Sequence, residues 1–321
     1  MSAPDSFDIA LRPAEMHLCK PTEPAEVVVV KNELCTAGRK AAGWVRHIEL
    51  DLSGTPLAGR CIPGQSLGVL PPGTDDKGRP HKPRLYSLAS PTRGEDGQGN
   101  VHSLTVKRLI DENLVDNSLF LGVASNHLCS LRPGDKVRVS GPSGKRFVLP
   151  QHPDQHDYVF IATGTGIAPF RGMLLDLLAQ PTTCRIVLIM GSPYSTDLLY
   201  DAQLRALAKA HPNFSYLTAI SRENNGPGGV DGKLYVQDRL RTHRDLLAPM
   251  LASGRALIYI CGIAGMELGI FQHMARTLPP DVLAYYLAID PDAQHAIETW
   301  ERAMIHRQVR PTRRVFLEVY A

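Results

Sequence analysis

Three runs in this 321-residue chain combine residue types that suit a nucleotide. The first is Ala162-Thr163-Gly164-Thr-Gly-Ile-Ala-Pro-Phe-Arg171, a Gly-rich turn between an apolar strand and a helix. Gly164 and Gly166 let backbone approach a ligand closely, and the helix that follows aims its positive end at phosphate. The spacing is not the Gly-x-Gly-x-x-Gly of the usual dinucleotide fingerprint. The second run is Ser221-Arg222, with Lys233, Tyr235 and Gln237 downstream. A hydroxyl and two cations suit a 2′-phosphate, and Tyr can stack on adenine. An NAD site would carry an acid at the ribose instead. The third is Tyr259-Ile-Cys261-Gly-Ile-Ala-Gly-Met-Glu267, in which Cys261 ends a strand and Gly262 opens a loop. Ligands of open α/β sheets bind at that edge, although a lone Cys there also serves as a small buried hydrophobe.

Two runs lie upstream. In Arg84-Leu-Tyr86-Ser87-Leu-Ala-Ser90, the two-residue spacing of Arg84 and Tyr86 puts a cation and a ring on one strand face. Such a face can meet a phosphate and a flat ligand together. In Gly122-Val-Ala-Ser125-Asn126, Ser125 and Asn126 are good N-cap residues, and the helix they would open suits a pyrophosphate. The C-terminal run Phe316-Leu-Glu318-Val-Tyr320-Ala321 reads by itself as a plain strand.

These residues need a frame. From residue 26 to about 146 the chain alternates short β-type segments with Gly and Pro; 26–31, 44–50, 66–70, 103–109 and 136–140 are examples, and 71–83 reads as a loop. Many short strands with turn signals predict a closed or nearly closed antiparallel barrel. After a linker at 151–157 the pattern changes. Apolar strands at 158–162, 185–190, 214–220 and 257–261 alternate with helical stretches at 169–179, 197–210, 240–251 and 265–278. That alternation predicts a doubly wound parallel sheet. A last helix is expected over 292–306 and a last strand over 314–320. The expected division is a leader at 1–24, a barrel domain at 25–152 and an α/β domain at 153–321.

Composition narrows the function classes. Hydrophobic residues are 43% and charged residues 21%, with a net charge of +3. This is ordinary globular composition, and the charge is too small to suggest nucleic acid. None of the six cysteines forms a Cys-x-x-Cys pair, which argues against an iron–sulfur cluster or a zinc site. No metal site is expected. No apolar run reaches 18 residues, so no transmembrane helix is expected. The N-terminus lacks the marks of a secretory or transit peptide, so a cytoplasmic chain with reduced cysteines is expected.

Taken together and in order, these runs resemble the plant-type ferredoxin–NADP(+) reductases. The resemblance covers about residues 31 to 320 and includes Gly64-Gln-Ser-Leu-Gly-Val and Gly141-Pro-Ser-Gly-Lys as well. It implies an FAD-binding β-barrel domain followed by an NADP-binding α/β domain. The activity implied is electron transfer between NADP(H) and ferredoxin or flavodoxin, an acidic carrier, by a monomeric enzyme. The resemblance also assigns roles. Tyr86 would stack on the flavin, while Arg84 and Ser125 would hold the FAD pyrophosphate. Val106 and Lys107 would line the phosphate region. Thr163 and Gly164 would sit by the NADP pyrophosphate and nicotinamide end. Ser221, Arg222, Lys233, Tyr235 and Gln237 would hold the 2′-phosphate and adenine end. Cys261 would pack beside nicotinamide C4. Ser87 and Glu318 would handle protons near flavin N5, and Tyr320 would cover the flavin until nicotinamide displaces it.

The chain departs from the family pattern in places. Ala321 follows Tyr320, where the family's aromatic is terminal. No aromatic lies between Lys107 and Leu119, and Asp111 or a near neighbour stands where the family often has an adenine-stacking Tyr. Adenine is therefore expected to be held less tightly. Two other readings use the same residues. One is the reductase component of an oxygenase system with a separate iron–sulfur partner. The other is a non-catalytic flavin or nucleotide sensor, against which the intact 261–267 and 318–320 runs argue.

Overall fold

Alternation of inward and outward residues builds the N-terminal half. In β1 (Ala25–Leu34), Val27 and Val29 are buried while Glu26 and Val28 face outward, the period a strand needs with one face on a core. The computed structural model describes residues 9–38 and 40–320, which form two compact units. The barrel unit comprises Pro13–Leu149 and Ile167–Gln180. After β1 come β2 (Val45–Asp51), β3 (Ser66–Leu70), β4 (Arg84–Ser87), β5 (Val101–Lys107), the small hairpin β6 (Ile110–Glu112) and β7 (Leu119–Leu121), helix α1 (Val123–Ser130) and β8 (Lys136–Ser143). The main sheet is antiparallel, in the order β4-β3-β8-β1-β2-β5. Just past β4, Leu88 bridges Leu104 of β5, so the two edge strands meet and the sheet closes. Val27, Val29, Ile48, Leu50, Leu67, Val69, Leu104 and Val139 fill the interior, and Leu128 and Cys129 of α1 pack on it. Residues 13–24 lie along this barrel: the amides of His17 and Cys19 donate to the carbonyls of Pro142 and Gly141, and the Gln65 side chain donates to the Glu15 carbonyl.

The sheet unit comprises residues 9–12, 150–166 and 181–320 of those described. The chain passes through β9 (Asp157–Thr163), α2 (Ile167–Leu178, packed in the barrel unit), β10 (Ile186–Ser192), α3 (Asp201–Ala210), β11 (Phe214–Ile220), α4 (Asp238–Thr242), α5 (Arg244–Ala252), β12 (Ala256–Ile263) and α6 (Met266–Thr277). It continues through α7 (Pro280–Leu283), β13 (Leu287–Ile289), α8 (Pro291–Gln294) and β14 (Val309–Pro311) to β15 (Val315–Tyr320). The order β11-β10-β9-β12-β15 is parallel throughout. Strand order therefore reverses between β9 and β12, which makes their carboxyl ends a switch-point crevice. Val159, Ile161, Val187, Ile189, Ile258 and Ile260 share a core with Leu247, Met250 and Leu251 of α5 and Ile270, Phe271 and Met274 of α6. On alternate positions Tyr158, Phe160, Tyr259 and Phe316 form an aromatic row, with Tyr259 and Phe316 stacked at 4.3 Å.

The antiparallel barrel followed by a doubly wound parallel sheet is the expected architecture. Two helices differ from expectation. The stretch 240–251 is split at His243 into α4 and α5. The helix expected over 292–306 is only the short α8 followed by two 3₁₀ turns. Trp300 explains the second case: it is buried, and its indole N–H donates to the Ala293 carbonyl at 2.9 Å. That tertiary contact folds the segment back and overrides helix propensity. No described helix is long and apolar enough to cross a membrane.

Candidate active site

The crevice between β9 and β12 is built backbone against backbone. Gly166, in the turn after β9, lies so close to β12 that a Cβ there would stand 2.2 Å from the Cys261 carbonyl oxygen. Gly262, at φ +151°, would put a Cβ 2.1 Å from Thr163 Oγ1. Only glycine fits either position. Thr163 is pinned by the same approach: its hydroxyl accepts from the Ile263 amide at 3.0 Å and faces Met266 Sδ at 3.3 Å. Thr163 and exposed Gly164 thus present a fixed edge of backbone.

Cys261 and Glu318 are direct partners in the register of β12 and β15. Burial, and then the neighbouring Glu318 carboxylate, push the Cys261 thiol well above its ordinary 9.0. The thiol is therefore neutral at physiological pH, a compact apolar wall rather than a nucleophile. Tyr320 reaches over the turn from β15. Its hydroxyl shares a 2.7 Å hydrogen bond with Thr165 Oγ1 and donates to the Thr163 carbonyl at 3.3 Å. The residue is 42% exposed, yet the hydroxyl end is tucked in, and burial foremost pushes it up to about 12. Ala321 lies outside the described residues.

The ends of β10 and β11 form a second part of the same sheet edge. The amides of Ser221 and Arg222 donate to the carbonyls of Ser192 and Pro193, both at 3.0 Å. Buried Asn225, not singled out in the sequence, organises the loop. Its side-chain oxygen accepts from the Ile220 amide, and its amide nitrogen donates to the carbonyls of Ile220, Glu223 and Gly232. This closes 221–232 into a compact loop, so that Lys233 follows directly beside the end of β11. Lys233 and Tyr235 are exposed, and Gln237 is half-buried. Two cations, a hydroxyl and a ring thus stand at one strand end with no carboxylate among the expected set.

In the barrel unit, Arg84 is exposed, and Tyr86 and Ser87 are half-buried on the same short strand. Ser87 Oγ lies 3.5 Å from Ser66 Oγ. Lys107 is exposed at the end of β5, whereas the Val106 side chain lies wholly in the barrel core, so any ligand there meets only its backbone. Helix α1 begins three residues earlier than Ser125 as a cap would require: Gly122 is the N-cap, and no side chain caps the turn. A side chain at 122 would strike Ser125 Oγ at 2.7 Å and Leu109 Cβ at 2.9 Å. Ser125 Oγ instead accepts from the Leu109 amide and donates to the Gly122 carbonyl, both at 3.2 Å. The first-turn N–H groups of α1 therefore remain available to an anion. Asp111 pairs across the hairpin with Phe120. Direct cross-strand partners share a face, so an exposed aromatic ring stands beside the position where the sequence lacks one. Pairing register, invisible in the spacing, supplies it.

Comparison with known proteins then identifies the lineage. An oxidoreductase NAD-binding domain profile matches residues 160–271. A ferredoxin–NADP reductase of Spirulina sp is 39% identical over 81% of this chain and 88% of its own. The chloroplastic root isozyme 1 of the same reductase from Arabidopsis thaliana is 36% identical over 95% of this chain and 77% of its own. This chain belongs to the plant-type ferredoxin–NADP reductase family. The ferredoxin-NADP+ reductase of Plasmodium falciparum shares the fold, with a TM-score of 0.70 at 21% identity over 95% of this chain and 99% of that one. A second structure of that protein, solved with 2′P-AMP, matches with a TM-score of 0.66.

Proposed function

We propose that this chain is an FAD-dependent, NADPH-specific reductase that moves electrons between NADP(H) and ferredoxin or flavodoxin. It acts as a monomer in the cytoplasm. The observation that carries the reading is the switch-point crevice, where Gly166 and Gly262 are packed without room for a side chain, Cys261 lies against Gly166 and beside its register partner Glu318, and Tyr320 bonds Thr165 and the Thr163 carbonyl.

The barrel residues fit a pyrophosphate-linked flavin. Arg84 and Lys107 are exposed cations, α1 has an uncapped N-terminus, and Tyr86 offers a ring on the same strand as Arg84. Residues 25–152 would hold FAD with this set and with Ser125 positioning the helix start. When bound, FAD supplies the redox chemistry, taking two electrons at once from the nicotinamide and releasing them singly.

The protein's own work is orientation and gating. Residues 153–321 would hold NADP(H), and the Thr163–Gly166 backbone lies where a pyrophosphate can approach it. Ser221, Arg222 and Lys233 hold the 2′-phosphate, and Tyr235 and Gln237 hold the adenine end. Cys261 sets the floor of the nicotinamide end without adding charge, and Glu318 beside it keeps a proton-exchanging group at that end. Ser87 has the same part in the barrel unit. Tyr320, bonded over the Gly-rich turn, must yield before a nucleotide settles there. The ferredoxin–NADP reductase name carried by relatives across most of the chain supports this activity over that of an oxygenase-system reductase.

Anaerobic titration with NADPH and separately NADH tests the reading through flavin absorbance near the ~450 nm band. Rapid bleaching by NADPH and slow bleaching by NADH is expected. A yellow protein bleached by neither would overturn the enzyme reading, and equal bleaching by both would overturn the roles of Ser221, Arg222 and Lys233.

A further inference from the structure

We propose that Tyr194 is a positioning residue for the 2′-phosphate: it holds the Arg222 guanidinium in the pose that grips the phosphate and thereby sets the preference for NADPH over NADH. The proposal rests on the 2′-phosphate reading of Ser221, Arg222 and Lys233.

The geometry comes from two loops sewn together. Tyr194 follows β10, and Arg222 follows β11, its parallel neighbour. The Arg222 amide donates to the Pro193 carbonyl at 3.0 Å, so each residue's backbone lies beside the other's loop. One residue further on, the Ser195 amide donates to Glu223 Oε2 at 2.9 Å. These bonds fix the spacing between the two side chains. The guanidinium carbon of Arg222 then lies 5.8 Å from the centre of the Tyr194 ring, within the range of a cation–π contact. The Tyr194 side chain beside it is the leading influence that raises the guanidinium pKa further.

An exposed arginine otherwise loses much rotamer freedom when it binds. A ring beside it removes part of that freedom beforehand and leaves the planar N–H fork to pair with phosphate oxygens. The effect falls on the phosphate alone, because Tyr194 acts through Arg222. A nucleotide lacking the 2′-phosphate gains nothing from it.

Calorimetric titration of the FAD-loaded protein with 2′-phospho-AMP and with 5′-AMP tests this, beside KM and kcat for NADPH and NADH. In Tyr194→Ala, 2′-phospho-AMP binding should weaken and the NADPH KM rise by about two- to fivefold, the range of an exposed cation–π contact. Its 5′-AMP affinity, NADH KM and both kcat values should hold. Tyr194→Phe keeps the ring and should recover most of the loss. In an Arg222→Ala background, Tyr194→Ala should add nothing. Equal weakening of both nucleotides would overturn the proposal in favour of adenine stacking or a purely structural role, and so would full additivity with Arg222→Ala. Wild-type protein that binds the two nucleotides equally would instead remove the underlying 2′-phosphate reading.

Discussion

The carboxyl edge of the parallel sheet and the α2 side of the barrel are both held rigidly, but by different means. At the sheet edge, Gly166 meets the backbone of Cys261 and Gly262, and Gly262 meets Thr163 and Met266, at distances that leave no room for a further side chain. In the barrel unit, side chains do the holding. Arg171 of α2 donates to Glu95 Oε1 at 2.6 Å, to Glu95 Oε2 at 3.2 Å and to the Ala89 carbonyl at 2.9 Å. Ser103 Oγ donates to Glu95 Oε1 at 2.6 Å, and Thr92 bonds Asp176 through both its amide and its hydroxyl. The first kind of contact has no charge and no slack. The second is tight but titratable. A backbone-packed site should therefore fail by steric insertion and ignore pH, and an ion-paired one should do the reverse.

Gly166→Ala breaks the first kind most sharply. Its Cβ would lie 2.2 Å from the Cys261 oxygen and 2.5 Å from the Cys261 carbon, so β12 or the turn must move. Overpacking of this sort costs about 3 kcal/mol, and a 1 Å displacement at a reacting centre costs on the order of 100-fold in rate. Stopped-flow flavin reduction by NADPH should fall by that order, and the melting temperature should drop. Gly38→Ala, where nothing lies within 4 Å, should change neither. Wild-type reduction by Gly166→Ala would show that the close packing is not what positions Cys261.

The second kind yields to acid. Burial alone would raise Glu95, but its bonds to Arg171 and Ser103 win and hold its carboxyl below the ordinary 4.5. Burial first, then the Arg171 charge, hold the nearby His47 below 6.5, so His47 is neutral in the folded protein at neutral pH. His47 Nε2 lies 3.2 Å from Glu49 Oε1 and 3.9 Å from Glu95 Oε1. These three could surround a cation, but Arg171 and Ser103 already occupy the Glu95 oxygens. Both shifts mean that the unfolded chain binds more protons, so stability rises with pH through each window. On acidification the His47 contribution goes first, as pH falls below 6.5 towards its folded value. Glu95 follows as pH falls below 4.5. The side chains of Arg171 and Glu95 are only 9% and 15% exposed, so Glu95→Gln should cost about 3 kcal/mol at pH 7 and flatten the acid limb. Urea unfolding across about pH 2.5 to 8 measures both. Parallel curves for variant and wild type would show that Glu95 is not the titrating group.

The same contrast explains what could be read from the sequence. The Gly-rich turn, the Ser221-Arg222 pair and the Cys261 loop were legible because a parallel sheet delivers every strand end to one edge, so order along the chain predicts proximity. The strand β11 and the β3 segment have the bounds expected from their apolar runs. What escaped depends on partners far apart in sequence. Phe120 faces Asp111 only through hairpin register, and Tyr194 meets Arg222 only because β10 and β11 are neighbours. Gly122 replaces Ser125 as the cap because Leu109 crowds the turn, and Trp300 breaks a helix that its own segment would favour. Spacing reports faces; it does not report which face another strand presents.

Tyr320 sits between the two kinds of holding, a side chain fastened to the backbone-built edge. Its phenol bonds Thr165 Oγ1 and the Thr163 carbonyl, the groups assigned here to the nucleotide, so nucleotide and phenol compete. Tyr320→Phe keeps the ring and removes the fastening, worth about 1 kcal/mol for a hydrogen bond of this type. NADP⁺ should then bind about fivefold more tightly in a difference-absorbance titration, and its release should slow. Thr165→Val should reproduce part of the gain, and the two changes together should give less than their product, since they remove the same bond. Tyr320→Ser removes the ring as well and should tighten binding further. Weaker binding by Tyr320→Phe would mean that the hydroxyl contacts the nucleotide instead of excluding it. The fastening would then be part of the binding site, and the sheet edge would have no gate of its own.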